Sequence, residues 1–390
     1  MDYNEIMYIH RNLQKILLEA LHHFPVVLVT GSRQAGKSTL LQHMLKEYRY
    51  VTLDDILIRN LAASDPALFL KTYESPVVID EIQYVPTLLP YIKMAVDADR
   101  HRYGQYALTG SQIFPLMKGA SESLAGRIAI FQLYPLSWNE LPHLDCFDTN
   151  KMAEQMLKGF YPEFQIQPDL NPKFWHSAYL TTYLERDIRQ IRNIHDLGQS
   201  QRFLVLLAAR AGQLLNLNEI GKECGISQTT AKDWLTLLQA TSTIYLLEPY
   251  SKNLTKRVVK SPKLFFVDTG LLCYLLRIDT TIQLVHSPFA GHIFENMVIM
   301  EKIKRYAEKG ERAPCYFYRT SGGLEIDLLI DGEYLEAHEI KFSATPSAEM
   351  ARSLVEFKKE HAVKKASILN LRKDRLPFPN GVESIHWSHV

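Results

Sequence analysis

Gly31-Ser32-Arg33-Gln34-Ala35-Gly36-Lys37-Ser38-Thr39 matches the pattern GxxxxGK[ST] and stands in the surroundings that this pattern requires. Before it, Val26 to Thr30 is a continuous apolar, β-branched run, as expected of a strand buried on both faces. After it, Leu40, Leu41, Met44 and Leu45 fall at helical spacing. Strand, glycine loop and helix in that order make a phosphate cradle. Gly31 and Gly36 let the backbone turn, so that N–H groups along Ser32, Arg33, Gln34, Ala35 and Thr39 can face phosphate oxygens. The helix start adds the positive end of its dipole. Lys37 offers a point charge to the β- and γ-phosphates, and the Ser38 hydroxyl offers a ligand to Mg²⁺. The bland alternative is a glycine turn ahead of an amphipathic helix. The flanking strand and helix argue against it, and a MgATP site is expected.

A second element fits the first. Pro76-Val77-Val78-Ile79-Asp80-Glu81 is an apolar strand ending in two carboxylates, with Asp80 43 positions after Lys37. Asp80 is expected to hold Mg²⁺ through an intervening ligand and Glu81 to polarise the attacking water. On its own, Asp-Glu after a strand reads as a solvated turn; beside a phosphate loop it reads as the acidic half of the site. A third strand, Tyr106 to Thr109, ends in Thr109-Gly110-Ser111-Gln112. Ser111, with Thr109 next, is the candidate to hydrogen-bond the lytic water; the alternative is a polar strand end without contact. A helical stretch then closes in Ser123-Leu124-Ala125-Gly126-Arg127 before a strand from Ile128 to Leu133. Arg127 is either a guanidinium that reaches a neighbouring subunit's γ-phosphate, making hydrolysis depend on an oligomer, or a cation held locally at the helix end.

Taken in order, the phosphate loop, Val77 to Gln83, Leu108 to Gln112, Ser123 to Arg127 and the strand entering Tyr134-Pro135-Leu136-Ser137 resemble the prokaryotic AAA-type ATPases that carry an uncharacterised C-terminal domain. Tyr183 to Asp187 and Phe265 to Gly270 extend the resemblance through nearly the whole chain. The resemblance implies an α/β architecture: an AAA-type P-loop domain with a parallel sheet over residues 1–150, a helical lid with a winged-helix element over 151–285, and an α+β restriction-endonuclease-like domain over 286–390. In such a lid Arg186 reaches the nucleotide of its own subunit or, equally well, Arg186 and Asp187 pair with surface groups.

The middle of the chain reads as helices and a strand. Arg202 to Ala211 is apolar-periodic, Leu217 to Cys224 is a short helix, and Gly225-Ile226-Ser227 is a tight turn with Ser227 capping a helix from Gln228. A strand over Thr243 to Leu247 then begins a wing. Gln228, Thr229, Thr230 and Lys232 are the side chains that would enter a major groove, and Lys252, Lys256, Arg257, Lys260 and Lys263 would grip phosphates. A soluble hairpin tip above a helix bundle explains the same residues.

From Pro288 on, the pattern becomes α+β. A helix from Gly291 to about Lys309 carries Glu295, and strands follow at Cys315, Leu324 to Ile330 and Tyr334 to Lys341. Glu339 and Lys341 are two apart on one strand and so share a face, with Asp327 on the strand before. Two carboxylates and an ammonium can converge, a donor set suited to Mg²⁺ or Mn²⁺ and to hydrolysis of a phosphodiester. The set resembles the PD-(D/E)xK nuclease core, which implies that Glu295 is a further carboxylate ligand; Ile326 stands where the strict motif has proline. A surface hairpin with ordinary charges is the alternative. The fold also serves as a non-catalytic scaffold, so a nucleic-acid partner, DNA foremost, and a protein partner are both compatible.

Composition sets the outer bounds. Apolar residues are 46% and charged residues 22% of the chain, with a formal charge of +1, so nucleic-acid binding must rest on local patches. Cys146, Cys224, Cys273 and Cys315 form no CxxC pair, which speaks against zinc and disulfides and for a reducing compartment. Asp2 and Glu5 precede any basic segment, no apolar run reaches ~20 residues, and a cytoplasmic protein is expected.

Overall fold

The computed structural model describes residues 8–111, 123–142, 145–184, 197–250 and 260–389. Five strands, β1 (Val26–Gly31), β2 (Arg49–Thr52), β3 (Val77–Asp80), β4 (Tyr106–Gly110) and β5 (Ile128–Leu133), form one sheet in the order β2-β3-β4-β1-β5. Every pairing in it is parallel, with Val26 opposite both Tyr106 and Ile128. Alternation sends Val26, Leu28, Ile79 and Leu108 into one apolar layer and Val27, Val29, Val78 and Ala107 into the other. Both faces are covered, which is why these strands carry no polar alternation. Parallel pairing also brings the C-terminal ends of β1, β3 and β4 to one edge, where Gly31, Asp80 and Thr109 meet.

The middle region contains the expected helices, Leu197–Ala208, Leu217–Cys224 and Gln228–Ala240. Gly225 takes a left-handed conformation (φ 71°) after the second, and the Ser227 hydroxyl accepts from the Thr230 N–H at 3.0 Å to start the third. Gln228, Thr229 and Lys232 are exposed on that helix. Two strands follow as an antiparallel pair, β6 (Ile244–Leu247) and β7 (Lys263–Phe266). Gln112, Arg186, Asp187, Lys252, Lys256 and Arg257 lie outside the described residues.

The C-terminal region opens with the long helix Ala290–Ala307 and builds a second sheet from β8 (Cys315–Arg319), β9 (Glu325–Asp331), β10 (Leu335–Ile340), β11 (Val363–Asn370), β12 (Leu376–Phe378) and β13 (Val382–His386). The first three strands are antiparallel neighbours; a helix, Arg352–Glu360, then crosses to β11, which runs parallel to β10. One contiguous buried cluster runs from Tyr134 through Phe203, Trp234, Phe265 and Phe294 to Trp387, so the middle and C-terminal regions share a core. All four cysteines are free. Among the described residues no helix is long and apolar enough to cross a membrane.

Candidate active site

The phosphate loop leaves β1 at Gly31, whose φ of 136° and position admit no side chain, because a Cβ there would collide with the Leu133 carbonyl. Gly36, at φ 89°, precedes the helix Lys37–Met44, and no side chain caps that helix start. Its first N–H groups are therefore left for an anion. The Lys37 ammonium is buried and donates to the Gly31 carbonyl at 3.2 Å and the Ser32 carbonyl at 2.9 Å. Burial pushes its pKa down to about 8, with Glu81 and Asp80 opposing the shift. A nucleotide phosphate needs this group charged. MgATP affinity is therefore expected to fall as pH rises through about 8, up to tenfold per pH unit above it, with a proton taken up on binding. Titration calorimetry in buffers of different ionisation enthalpy measures that proton. Lys37→Arg, which stays charged, should flatten the slope.

The acidic strand end is organised around Asp80. Its Oδ1 accepts from the Ser38 hydroxyl at 2.7 Å and from the Thr109 hydroxyl, and its Oδ2 accepts from the Tyr50 hydroxyl at 2.7 Å. The Thr109 oxygen also accepts the Glu81 N–H at 3.0 Å. Thr109 thus links both acidic residues, whereas Ser111 reaches Glu81 through Gln83: the Gln83 amide donates to Glu81 Oε2 and, at 3.2 Å, to Ser111 Oγ. Glu81 sits at a left-handed φ of 59°, which turns its side chain off the strand end. The hydroxyl of Ser38 beside the carboxylate of Asp80 is a hard-oxygen pair that fits Mg²⁺, with Ser38 as ligand and Asp80 behind it. A metal held by these residues would supply positive charge against the phosphates.

Sequence reasoning missed Tyr50, Gln83 and Arg11. Arg11 is buried and donates to the Ala35 carbonyl and the Tyr134 carbonyl, each at 2.7 Å, while pairing with Glu140 at 3.1 Å. It ties the phosphate loop to the segment that follows β5, and no motif surrounds it in the sequence.

Arg127 stands at the opposite end of the sheet. It precedes β5, whose far end lies beside Gly31, so about 20 Å of strand separates it from the phosphate loop of its own chain. Its guanidinium pairs with Asp97 at 2.6 and 3.1 Å and remains partly exposed.

In the C-terminal sheet Asp327, Glu339 and Lys341 do converge. The Lys341 ammonium lies 3.1 Å from Asp327 Oδ2 and 2.6 Å from Glu339 Oε2, and Asp327 Oδ2 also accepts the Ile340 N–H at 2.8 Å. Burial first, and then the adjacent Asp327 carboxylate, push the Glu339 carboxyl well above the usual carboxylate range. Glu295 reaches the same place from its helix, but it meets a lysine there. Lys263, expected in a phosphate-gripping surface loop, is only 2% exposed; that expectation is corrected. It begins the buried strand β7, and its ammonium lies 3.2 Å from Glu295, 2.6 Å from Glu325 and 3.9 Å from Asp327. Burial alone would lower its pKa, but Glu295, Asp327 and Glu325 outweigh that and hold it above the ordinary lysine value.

Comparison with known proteins agrees with the N-terminal geometry. Residues 23–142 match the AAA domain model, residues 149–281 match a Domain of unknown function (DUF8612), and residues 290–390 match a Domain of unknown function (DUF4143). An uncharacterized protein of Mycobacterium tuberculosis is 31% identical over 374 residues, 95% of this chain and 81% of that protein, and its Mycobacterium bovis counterpart matches equally. Among solved structures, the Walker-type ATPase of Pyrococcus abyssi covers 70% of this chain and 97% of its own at 17% identity and a TM-score of 0.48. RuvB of Thermotoga maritima covers 60% of this chain and 88% of its own at 18% identity and a TM-score of 0.33. The chain belongs to the family of these mycobacterial proteins, and its N-terminal part is an AAA-type P-loop ATPase domain.

Proposed function

We propose that this chain binds and hydrolyses ATP with Mg²⁺, as a homo-oligomer, and that the nucleotide state sets the position of its C-terminal domain. The observation that carries the reading is the Ser38–Asp80–Thr109 network, with Glu81 attached to it, at the mouth of a phosphate loop whose lysine is already buried. Glu81 orients and polarises the attacking water, Lys37 and the loop amides hold the phosphates, and Thr109, Gln83 and Ser111 fix the acidic end.

Arg127 supports the oligomer. It is too far along the strand to serve its own nucleotide, and it stands partly exposed where a second subunit can present its phosphates. Arg127→Ala is expected to lose hydrolysis by about 10³-fold or more while keeping ATP affinity. Mixing it with inactive Lys37→Ala should restore phosphate release, because some interfaces then pair an intact loop with an intact arginine. A mixture as inactive as its components places Arg127 in the Asp97 pair alone.

The C-terminal domain brings Asp327, Glu339 and Lys341 together from two antiparallel strands, and this clustering supports an effector acting on nucleic acid. Lys263 among its carboxylates favours an effector that holds its partner without cutting it. The exposed Gln228, Thr229 and Lys232 face supports DNA as that partner. Salt-dependent binding of duplex DNA without cleavage in Mg²⁺ or Mn²⁺ is the expected result. Metal-dependent nicking that Asp327→Ala abolishes would establish the cutting reading. Salt-insensitive or absent binding would point to a protein partner.

A further inference from the structure

A divalent metal in a nuclease-like site requires several free hard-oxygen ligands at one point. Here each carboxylate already gives at least one oxygen to a cation. Asp327 gives Oδ2 to the Lys341 ammonium and the Ile340 N–H, and turns Oδ1 toward Lys263. Glu295 gives Oε1 to Lys263, with the His292 ring near its other oxygen at 3.8 Å. Glu325 is shared between Lys263 and Arg319, and Glu339 gives Oε2 to Lys341. Among the described residues, Glu339 Oε1 is the one buried carboxylate oxygen of this cluster without a hydrogen-bond partner. Lys263 and Lys341 stand among these oxygens with their own positive charge, and among the described residues no group of three or more His, Cys, Asp or Glu is arranged to hold a metal ion. The residues present do not fit the metal that the nuclease-like fold implies.

Lys263 is not a mobile side chain that happens to point inward. Its strand is locked on both sides: Leu247 pairs with Lys263 across the β6–β7 ladder, and the Gly212 N–H donates to the Leu264 carbonyl at 2.7 Å on the other edge. The Leu215 N–H reaches the Pro262 carbonyl at 2.8 Å. The Asn296 side chain accepts the Phe266 N–H and donates to the Phe266 carbonyl, both at 2.7 Å, and so zips β7 to the helix that carries Glu295. The ammonium also faces the Phe317 ring, 5.6 Å from its centre. Backbone and side chain are both fixed, in a shared core.

We propose that Lys263, delivered by the middle region, is the resident cation of the C-terminal carboxylate cluster and occupies the place a divalent metal takes in a cutting nuclease of this fold. The cluster then serves as an ionic joint between the middle and C-terminal regions. Removing one member of such a buried set leaves the others without a partner, so the set acts as a unit. This deepens the non-cutting reading of the C-terminal domain and rests on it.

The test is a Mn²⁺ titration of the nucleotide-free full chain, followed by electron paramagnetic resonance, on wild type, Asp327→Asn, Lys263→Gln and the double variant. Wild type and Asp327→Asn should bind the same number of ions. Lys263→Gln should gain about one ion per chain, a gain absent from the double variant. A wild-type site that disappears in Asp327→Asn overturns the proposal, as does a folded Lys263→Gln that gains nothing. If Lys263→Gln does not fold, the wild-type and Asp327→Asn comparison decides alone, and Glu339→Gln repeats it at a second ligand. Duplex nicking assayed in the same samples separates the two levels. A wild-type Mn²⁺ site that Asp327→Asn removes, without nicking, sinks Lys263 as resident cation and leaves the non-cutting reading intact, whereas wild-type nicking that Asp327→Asn abolishes sinks both.

Discussion

Lys37→Ala is expected to lose MgATP affinity by between about 10² and 10³ fold, because a buried charge that meets a phosphate is worth roughly 3–4 kcal/mol when one partner is removed. The nucleotide-free protein should not suffer. Lys37 is held charged against its burial, with a pKa pushed down to about 8, so at neutral pH the ammonium costs the fold stability. Alanine relieves that cost while removing two hydrogen bonds to loop carbonyls. Thermal unfolding should therefore show a free-protein midpoint near or above that of wild type, and no upward shift on adding MgATP. Wild type should shift upward in proportion to the logarithm of nucleotide concentration. A Lys37→Ala protein that MgATP still stabilises as it does wild type would place the nucleotide somewhere else.

Glu81→Gln separates binding from chemistry. Glutamine keeps the shape of the side chain and an oxygen that can accept from the Gln83 amide, so the link onward to Ser111 survives. The charge that polarises the attacking water does not. Hydrolysis should fall by about 10²–10⁴ fold, the range of a positioned general base, with MgATP affinity within a few fold of wild type. Single-turnover phosphate release alongside calorimetric binding reads both. Equal loss in the two measurements would mean that Glu81 holds the loop together and does not act on water.

The candidate ATP site was legible because its residues are nearly contiguous. The strand, the loop and the helix of residues 26 to 45 sit within one motif, and Asp80 ends the next core strand of similar character. The choice between Ser111 and Thr109 was a matter of register. With Val77 beside Tyr106 and Ile79 beside Leu108, the next step along both strands puts Thr109 level with Asp80, and only the pairing of β3 with β4 reveals it. Arg11 and Tyr50 act on residues 24 and 30 positions away without local pattern, so periodicity and motif had nothing to register. The C-terminal set was half legible. Two-residue spacing and a hairpin brought Asp327, Glu339 and Lys341 together as strand geometry requires. Lys263 was misplaced because it follows a basic stretch and looked like the end of it. The signal that could have found it was the run Leu264-Phe265-Phe266-Val267 directly after it, since a lysine heading a fully buried strand must bring its own counter-charges.

On the proposed reading, ATP sits against the amides of residues 31 to 39 with Lys37, Ser38 and Asp80 around it. Titration calorimetry of the full chain with ATP, in Mg²⁺ and again in EDTA, tests this most directly. One nucleotide bound per chain, markedly tighter with Mg²⁺ and lost in Lys37→Ala, is the predicted result. No heat of binding from folded wild-type protein with MgATP would contradict it.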